Sequence, residues 1–134
     1  MKKKSIIIIV IVIIILLIAI PSLRIFFNGG EDTWIKDSRE VYIKHGNPSA
    51  TPDYVKEQQN LILQASNLYN QKKAEEMQFN SQCLGLIGDY AVDIVHVPRT
   101  TEDNLAENQC SDYREGKVSH FIELDKDGNI VRIV

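Results

Sequence analysis

The chain has 134 residues, 15 basic and 18 acidic, with a formal net charge of −3. That is room for one small domain behind any leader, and too little for two. Setting aside Lys2, Lys3, Lys4 and Arg24 leaves 11 basic residues against all 18 acids, so the remainder carries −7 and a nucleic acid is excluded as a partner.

Ile6 to Ile20 are fifteen uninterrupted apolar residues, ten of them isoleucine, behind Met1-Lys2-Lys3-Lys4-Ser5. A helix apolar on every side has no face to offer water, which points to a membrane segment. Extended through Pro21 and Leu23, with Arg24 snorkelling at the far interface, the run from Ser5 to Phe27 rises about 34 Å as helix, enough for roughly 30 Å of hydrocarbon. Two readings stay open, a retained anchor and a cleaved signal. Pro21 and its bulky neighbours spoil a small-residue cleavage site at the end of the run, which favours the anchor. Lysines precede the run and none follows at once, so the expectation is a single-pass cell-membrane protein with its N-terminus inside and its C-terminal domain outside. The lipid bilayer is then the first partner, through Ser5 to Phe27. The expected organisation is an anchor over residues 1–27, a juxtamembrane linker over 28–52 and an extracytoplasmic domain over 53–134.

Asn28-Gly29-Gly30-Glu31-Asp32 reads as an acidic hinge. Phe26, Phe27, Trp34 and Tyr42 follow one another near the expected outer interface, where amphipathic rings are stable. Thr33-Trp34-Ile35, Val41-Tyr42-Ile43 and Lys44-His45-Gly46-Asn47-Pro48-Ser49 resemble the juxtamembrane stretch of uncharacterised, small, membrane-anchored prokaryotic proteins, in which a Trp and a second aromatic precede KHGNPS. Those relatives usually carry a Cys and a Gly roughly where Lys36 and Arg39 stand here. The resemblance implies an anchored architecture and no activity.

Thr51-Pro52-Asp53 predicts a helix start, with a hydroxyl cap, proline in the first turn and an acid at the positive end of the dipole. Tyr54, Val55, Leu61, Ile62, Ala65, Leu68 and Tyr69 recur at three and four, giving an amphipathic helix of about five turns that fades near Lys72-Lys73. From Cys83 the period changes. Tyr90-Ala91-Val92-Asp93-Ile94-Val95-His96-Val97 predicts a strand stopped by Pro98, after a weaker one between Cys83 and Ile87 and a Gly88-Asp89 turn. Arg99 to Gly116 has no apolar rhythm and reads as a long surface loop. The segments from Val118 to Leu124 and from Ile130 to Val134 flank Asp125-Lys126-Asp127-Gly128-Asn129, a hairpin signal. The expected fold class is α+β, with the helix packed on a three- to four-stranded antiparallel sheet. The closing run from His120 to Ile133 resembles the end of small exported PepSY-type domains. That resemblance implies a helix-plus-sheet module that inhibits or regulates another extracytoplasmic protein.

Cys83 and Cys110 both fall in the part expected outside, where disulfides are permitted. Paired, they close a loop of 27 residues, worth about 3.5 kcal/mol in chain entropy; two buried free thiols are the alternative. Their spacing is neither C-x-x-C nor a zinc pattern. In Asp125-x-Asp127-Gly128 the glycine falls at loop position 4 where a calcium-binding EF-hand needs 6, so a turn is expected and no metal. Asp93, His96 and His120 could meet if their strands are neighbours, the basis for an alternative reading as a small metal-dependent hydrolase using the two histidines. His45 is expected in an exposed turn. The acidic stretch from Glu102 to Asn108 is a solvated face or a recognition loop. No catalytic, cofactor or metal residue is assigned. The leading expectation is a non-enzymatic binding or regulatory domain with a protein partner at the cell surface; a further alternative makes the anchor the working part, as an accessory subunit of a membrane complex.

Overall fold

The computed structural model describes residues 12–15 and 32–134. Val12 to Ile15 are helical; the rest of the expected anchor, and its membrane crossing, lie outside the described residues. Among the described residues no helix is long and apolar enough to cross a membrane.

The chain divides into two compact units. One comprises residues 1–33 and 44–49; in it the Asn47 N–H donates to the Asp32 carboxylate at 2.8 Å. The other, residues 34–43 and 50–134, holds the main fold. Strands β1 (Thr33–Lys36) and β2 (Tyr42–His45) pair as a two-stranded sheet. Their turn is built on Asp37, whose carboxylate accepts the N–H groups of Arg39 and Val41 while Glu40 takes a positive φ of 63°. Helix α1 runs over Asp53–Ala74. The hydroxyl cap expected from Thr51 is not made: Pro52 is the N-cap residue, and its carbonyl accepts from Val55 and Lys56. Asp53 in the first turn complements the helix dipole as read from the sequence, and Lys72 and Lys73 in the last turn do so at the other end.

Strands β3 (Gln82–Ile87), β4 (Tyr90–Ile94), β5 (His120–Leu124) and β6 (Ile130–Ile133) form a four-stranded sheet in that order. The fold class is therefore α+β, but the sheet is mixed rather than antiparallel as expected. β3–β4 and β5–β6 are antiparallel hairpins, whereas β4 and β5 run parallel, Tyr90 opposite His120 and Ile94 opposite Leu124. A parallel neighbour needs a crossover of a dozen or more residues. Residues 95–119 supply it, and the stretch read as a surface loop is that connection. It contains two 3₁₀ turns, Glu102–Asn104 and Ala106–Asn108, and the short helix α2 (Ser111–Arg114). Its return is fixed by Asp89 in the β3–β4 turn, which accepts Ser119 N–H through its carboxylate and His120 N–H through its carbonyl.

Strand alternation sorts the side chains onto two faces. Leu84, Val92, Ile94, Ile122, Leu124 and Ile133 pack with Ala65 and Tyr69 of α1, and Leu61, Ile62 and Leu68 flank them. On the opposite face Ala91 packs with Cys110 and Val118, joined by Tyr113 and Phe121, so the crossover covers what the helix does not. The closing hairpin turn forms as expected, the Asp125 carboxylate accepting the N–H groups of Asp127 and Asn129. Gly128 is required there twice over: its φ is 85°, and a Cβ would lie 2.8 Å from the Tyr69 ring.

Candidate functional site

Two features stand out, an aromatic cleft and a polar row across the sheet. Gln58 of α1 accepts Tyr42 N–H at 2.8 Å and donates to Glu40 O at 2.8 Å, and Ile133 of β6 donates to Arg39 O at 3.1 Å. These bonds hold the β1–β2 turn against both the helix and the last strand. Together with the starts of β4 and β5 they enclose an open cleft of about 970 Å³. Tyr42 and Tyr54 form one wall with ring centroids 4.8 Å apart, and Tyr90 stacked on His120, also at 4.8 Å, forms another. Lys36 adds a cationic head to the lining, with Glu40 and Glu57 as counter-charges. Lys36 lies 5.4 Å over the Tyr42 ring and pairs with Glu40 at 2.9 Å. Such a surface suits an apolar or aromatic anchor with polar groups around it.

The opposite face of the sheet carries a second constellation. The register places Cys83, Asp93, Glu123 and Arg132 side by side across all four strands. Glu123 is 5% exposed and clamped from both sides, by Arg99 Nη1 at 2.6 Å and by Arg132 through Nε at 3.1 Å and Nη2 at 3.2 Å. Asp93, 9% exposed, has no such counter-ion in contact and instead accepts the Cys110 N–H at 3.0 Å. Burial pushes its carboxyl up to about 6, with the negative Glu123 adding to the shift and the Cys110 N–H and Arg99 opposing it. A cavity of about 140 Å³ opens beside Asp93, lined also by Arg99, Asp103 and Tyr113.

Cys83 and Cys110 are joined in a disulfide, as one of the two sequence readings expected. Both sulfurs and an Asp93 oxygen lie within 4.8 Å of one another, the one set of three metal-ligand types so grouped among the described residues. With the S–S bond closed neither sulfur is a thiolate, so the set offers a metal only a single carboxylate.

The histidines weighed as a metal pair are not brought together. His120 opposes Tyr90 at the start of the parallel pair, whereas His96 follows the other end, where Ile94 opposes Leu124. Six residues of extended chain separate the two levels by about 20 Å. His96 is instead occupied locally, its N–H and Nδ1 on Asp103 Oδ1 at 3.0 and 2.9 Å and its Nε2 on Asn80 Oδ1 at 2.8 Å. His45 is exposed, as expected.

Asp103, 2% exposed, is the hub of the crossover's first turn. Burial alone would raise its carboxyl, but N–H donors from Thr100 and His96, the His96 ring and the Ser81 hydroxyl outweigh that and hold it at about 2. A carboxylate depressed on folding contributes stability above its unfolded value of 3.8 and loses it as pH falls toward 2. Urea unfolding at pH 5 and pH 2 should therefore show a loss of about 2 kcal/mol from this group, and Asp103→Asn should flatten that acid limb. An unchanged limb in the variant would remove Asp103 from the acid response.

No protein-family model, curated protein or solved structure matches this chain.

Sequence reasoning missed Glu123, Arg99 and Arg132 altogether and weighed Asp93 only as a partner for histidine. The available signal was a carboxylate set inside a continuous apolar run, Ala91-Val92-Asp93-Ile94-Val95. Such a run is buried on both faces, and an acid within it must be paired, hydrogen-bonded or protonated.

Proposed function

We propose that the chain is a single-pass membrane protein whose extracytoplasmic α+β domain binds and regulates a neighbouring surface protein. The observation that carries this reading is the open cleft walled by Tyr42, Tyr54, Tyr90 and His120, with Lys36 at its margin. Tyrosine is among the residue types that concentrate binding energy at protein interfaces, because it buries a large rigid area and still satisfies a polar tip. The Cys83–Cys110 bond supports an oxidising location for this domain. Anchoring in the same bilayer as the partner raises the effective concentration, so a modest cleft affinity suffices.

A photoreactive side chain placed at Glu57, on the cleft lining, tests the proposal in intact membranes. One discrete adduct with a neighbouring protein is expected. Tyr54→Ala with Tyr90→Ala should weaken it on the order of 10- to 100-fold, the scale of losing aromatic anchors. The same probe at Asp127, outside the cleft, should give none. No adduct, or one indifferent to the alanine substitutions, overturns the proposal.

A further inference from the structure

The two sulfurs of the disulfide stand in unlike surroundings. Cys83 lies on β3, an edge strand of the sheet, and is exposed; Cys110 is wholly buried in the cluster under the crossover. Cys110 offers an attacking thiolate no surface and Cys83 does, and access decides which sulfur is attacked. Cys110 Sγ lies 3.6 Å from both Gly85 O and Val92 O, two carbonyls that can accept a thiol S–H but that repel a thiolate. A sulfur leaving at that position therefore needs a proton as it departs. The carboxyl placed to supply it is Asp93, whose oxygen lies within 4.8 Å of both sulfurs.

The geometry points to an exchange-active disulfide, attacked at Cys83 by the thiolate of an extracytoplasmic dithiol and protonated on the departing Cys110 sulfur by Asp93. The incoming thiolate forms an S–S bond to Cys83 Sγ as the Cys83–Cys110 bond breaks; the electron pair leaves on Cys110 Sγ, and the Asp93 proton converts it to a thiol. The second thiol of the dithiol then loses its proton to solvent, attacks the dithiol's own sulfur in the mixed disulfide and displaces Cys83 as a thiolate. Two electrons have passed to the cysteine pair, and the dithiol has become a disulfide. Asp93 holds the proton into the mildly acidic range because burial disfavours its charge. The groups around it are fixed: Cys83 from β3, Glu123 from β5, Arg132 from β6 bound to that same Glu123, Arg99 and Asp103 from the crossover, and Tyr113 from α2.

The test uses the full-length protein in detergent micelles. Glutathione, a monothiol, should be trapped in a mixed disulfide on Cys83 and not on Cys110, as read by peptide mass; trapping on Cys110, or equally on both, overturns the inference without any variant. Reduction by dithiothreitol, corrected for its thiolate fraction, should then be compared with Asp93→Asn between pH 5 and pH 8. Asparagine keeps an acceptor for Cys110 N–H and lacks the proton. Its rate should fall on the order of 10- to 100-fold below pH 6, the contribution of a positioned acid, and approach that of the unaltered protein above pH 7. A ratio independent of pH gives Asp93 a structural part only and overturns its assigned role. Neither readout touches the cleft, so failure here and failure of the binding function are distinguishable.

Discussion

Replacing Cys83 and Cys110 together by serine should lower the unfolding free energy by about 3.5 kcal/mol, the chain entropy released when a 27-residue loop is opened. The substituted side chains do not account for a loss of that size. Serine fills nearly the same space as a half-cystine, and a hydroxyl at the buried position has the Gly85 and Val92 carbonyls beside it to accept its hydrogen. What is lost is the tie between the crossover and the edge strand. Cys110 stands at the start of α2, and its backbone N–H is also the group that Asp93 accepts. Hydrogen exchange should therefore report the loss unevenly. Residues 99–118 should lose protection first, because they rest on the small cluster of Ala91, Cys110 and Val118. The amides of β4 and β5 should keep theirs nearest to the global value, since Val92, Ile94, Ile122 and Leu124 are buried beneath α1. Urea titration of both proteins checks the magnitude. A loss below about 1 kcal/mol, at the low end for such bridges, would mean that the crossover is held by the Asp103 and Glu123 networks alone.

The elements that depend on local pattern could be read before the fold was known. The 3.6-residue recurrence through Val55, Leu61, Ala65 and Tyr69 located α1, and Asp125 with Gly128 located the last turn, because each of those signals is complete within one element. The direction of β5 relative to β4 was not legible. It depends on how residues 95–119 return, and that connection is held by contacts distant in sequence: Asp89 on Ser119, Arg99 on Glu123, Cys110 on Cys83. The polar row shares this dependence, since Asp93 meets Glu123 only in the parallel register. The cleft was hidden for a related reason. Tyr42 was read as a membrane-interface ring from its distance to the apolar run, and nothing local announces that Gln58, sixteen residues on, takes its N–H.

Asp93→Asn should stabilise the protein near neutral pH by up to about 3 kcal/mol and should change it little at pH 3.5. The sign follows from a carboxyl that titrates at 3.8 in the unfolded chain and at about 6 in the folded one. Below 3.8 both states hold the proton. Between the two values the unfolded chain releases it and the folded chain keeps it, so stability falls as pH rises through that interval and the full penalty is reached above 6. Asparagine never ionises, keeps an oxygen for the Cys110 N–H and escapes the penalty; its one new requirement is an acceptor for the amide hydrogens, which Glu123, directly across the strand pair, is placed to provide. Denaturant unfolding of both proteins at pH 3.5, 5 and 7.5 checks the curve, and equal stability at all three values would show that Asp93 titrates alike in both states. The same substitution is expected to slow disulfide exchange below pH 6, where the folded carboxyl holds its proton, and to leave it unchanged above pH 7, where the stabilisation is complete. Exchange rate and stability thus respond to the substitution with opposite pH trends, which separates a carboxyl retained for proton transfer from one retained for packing.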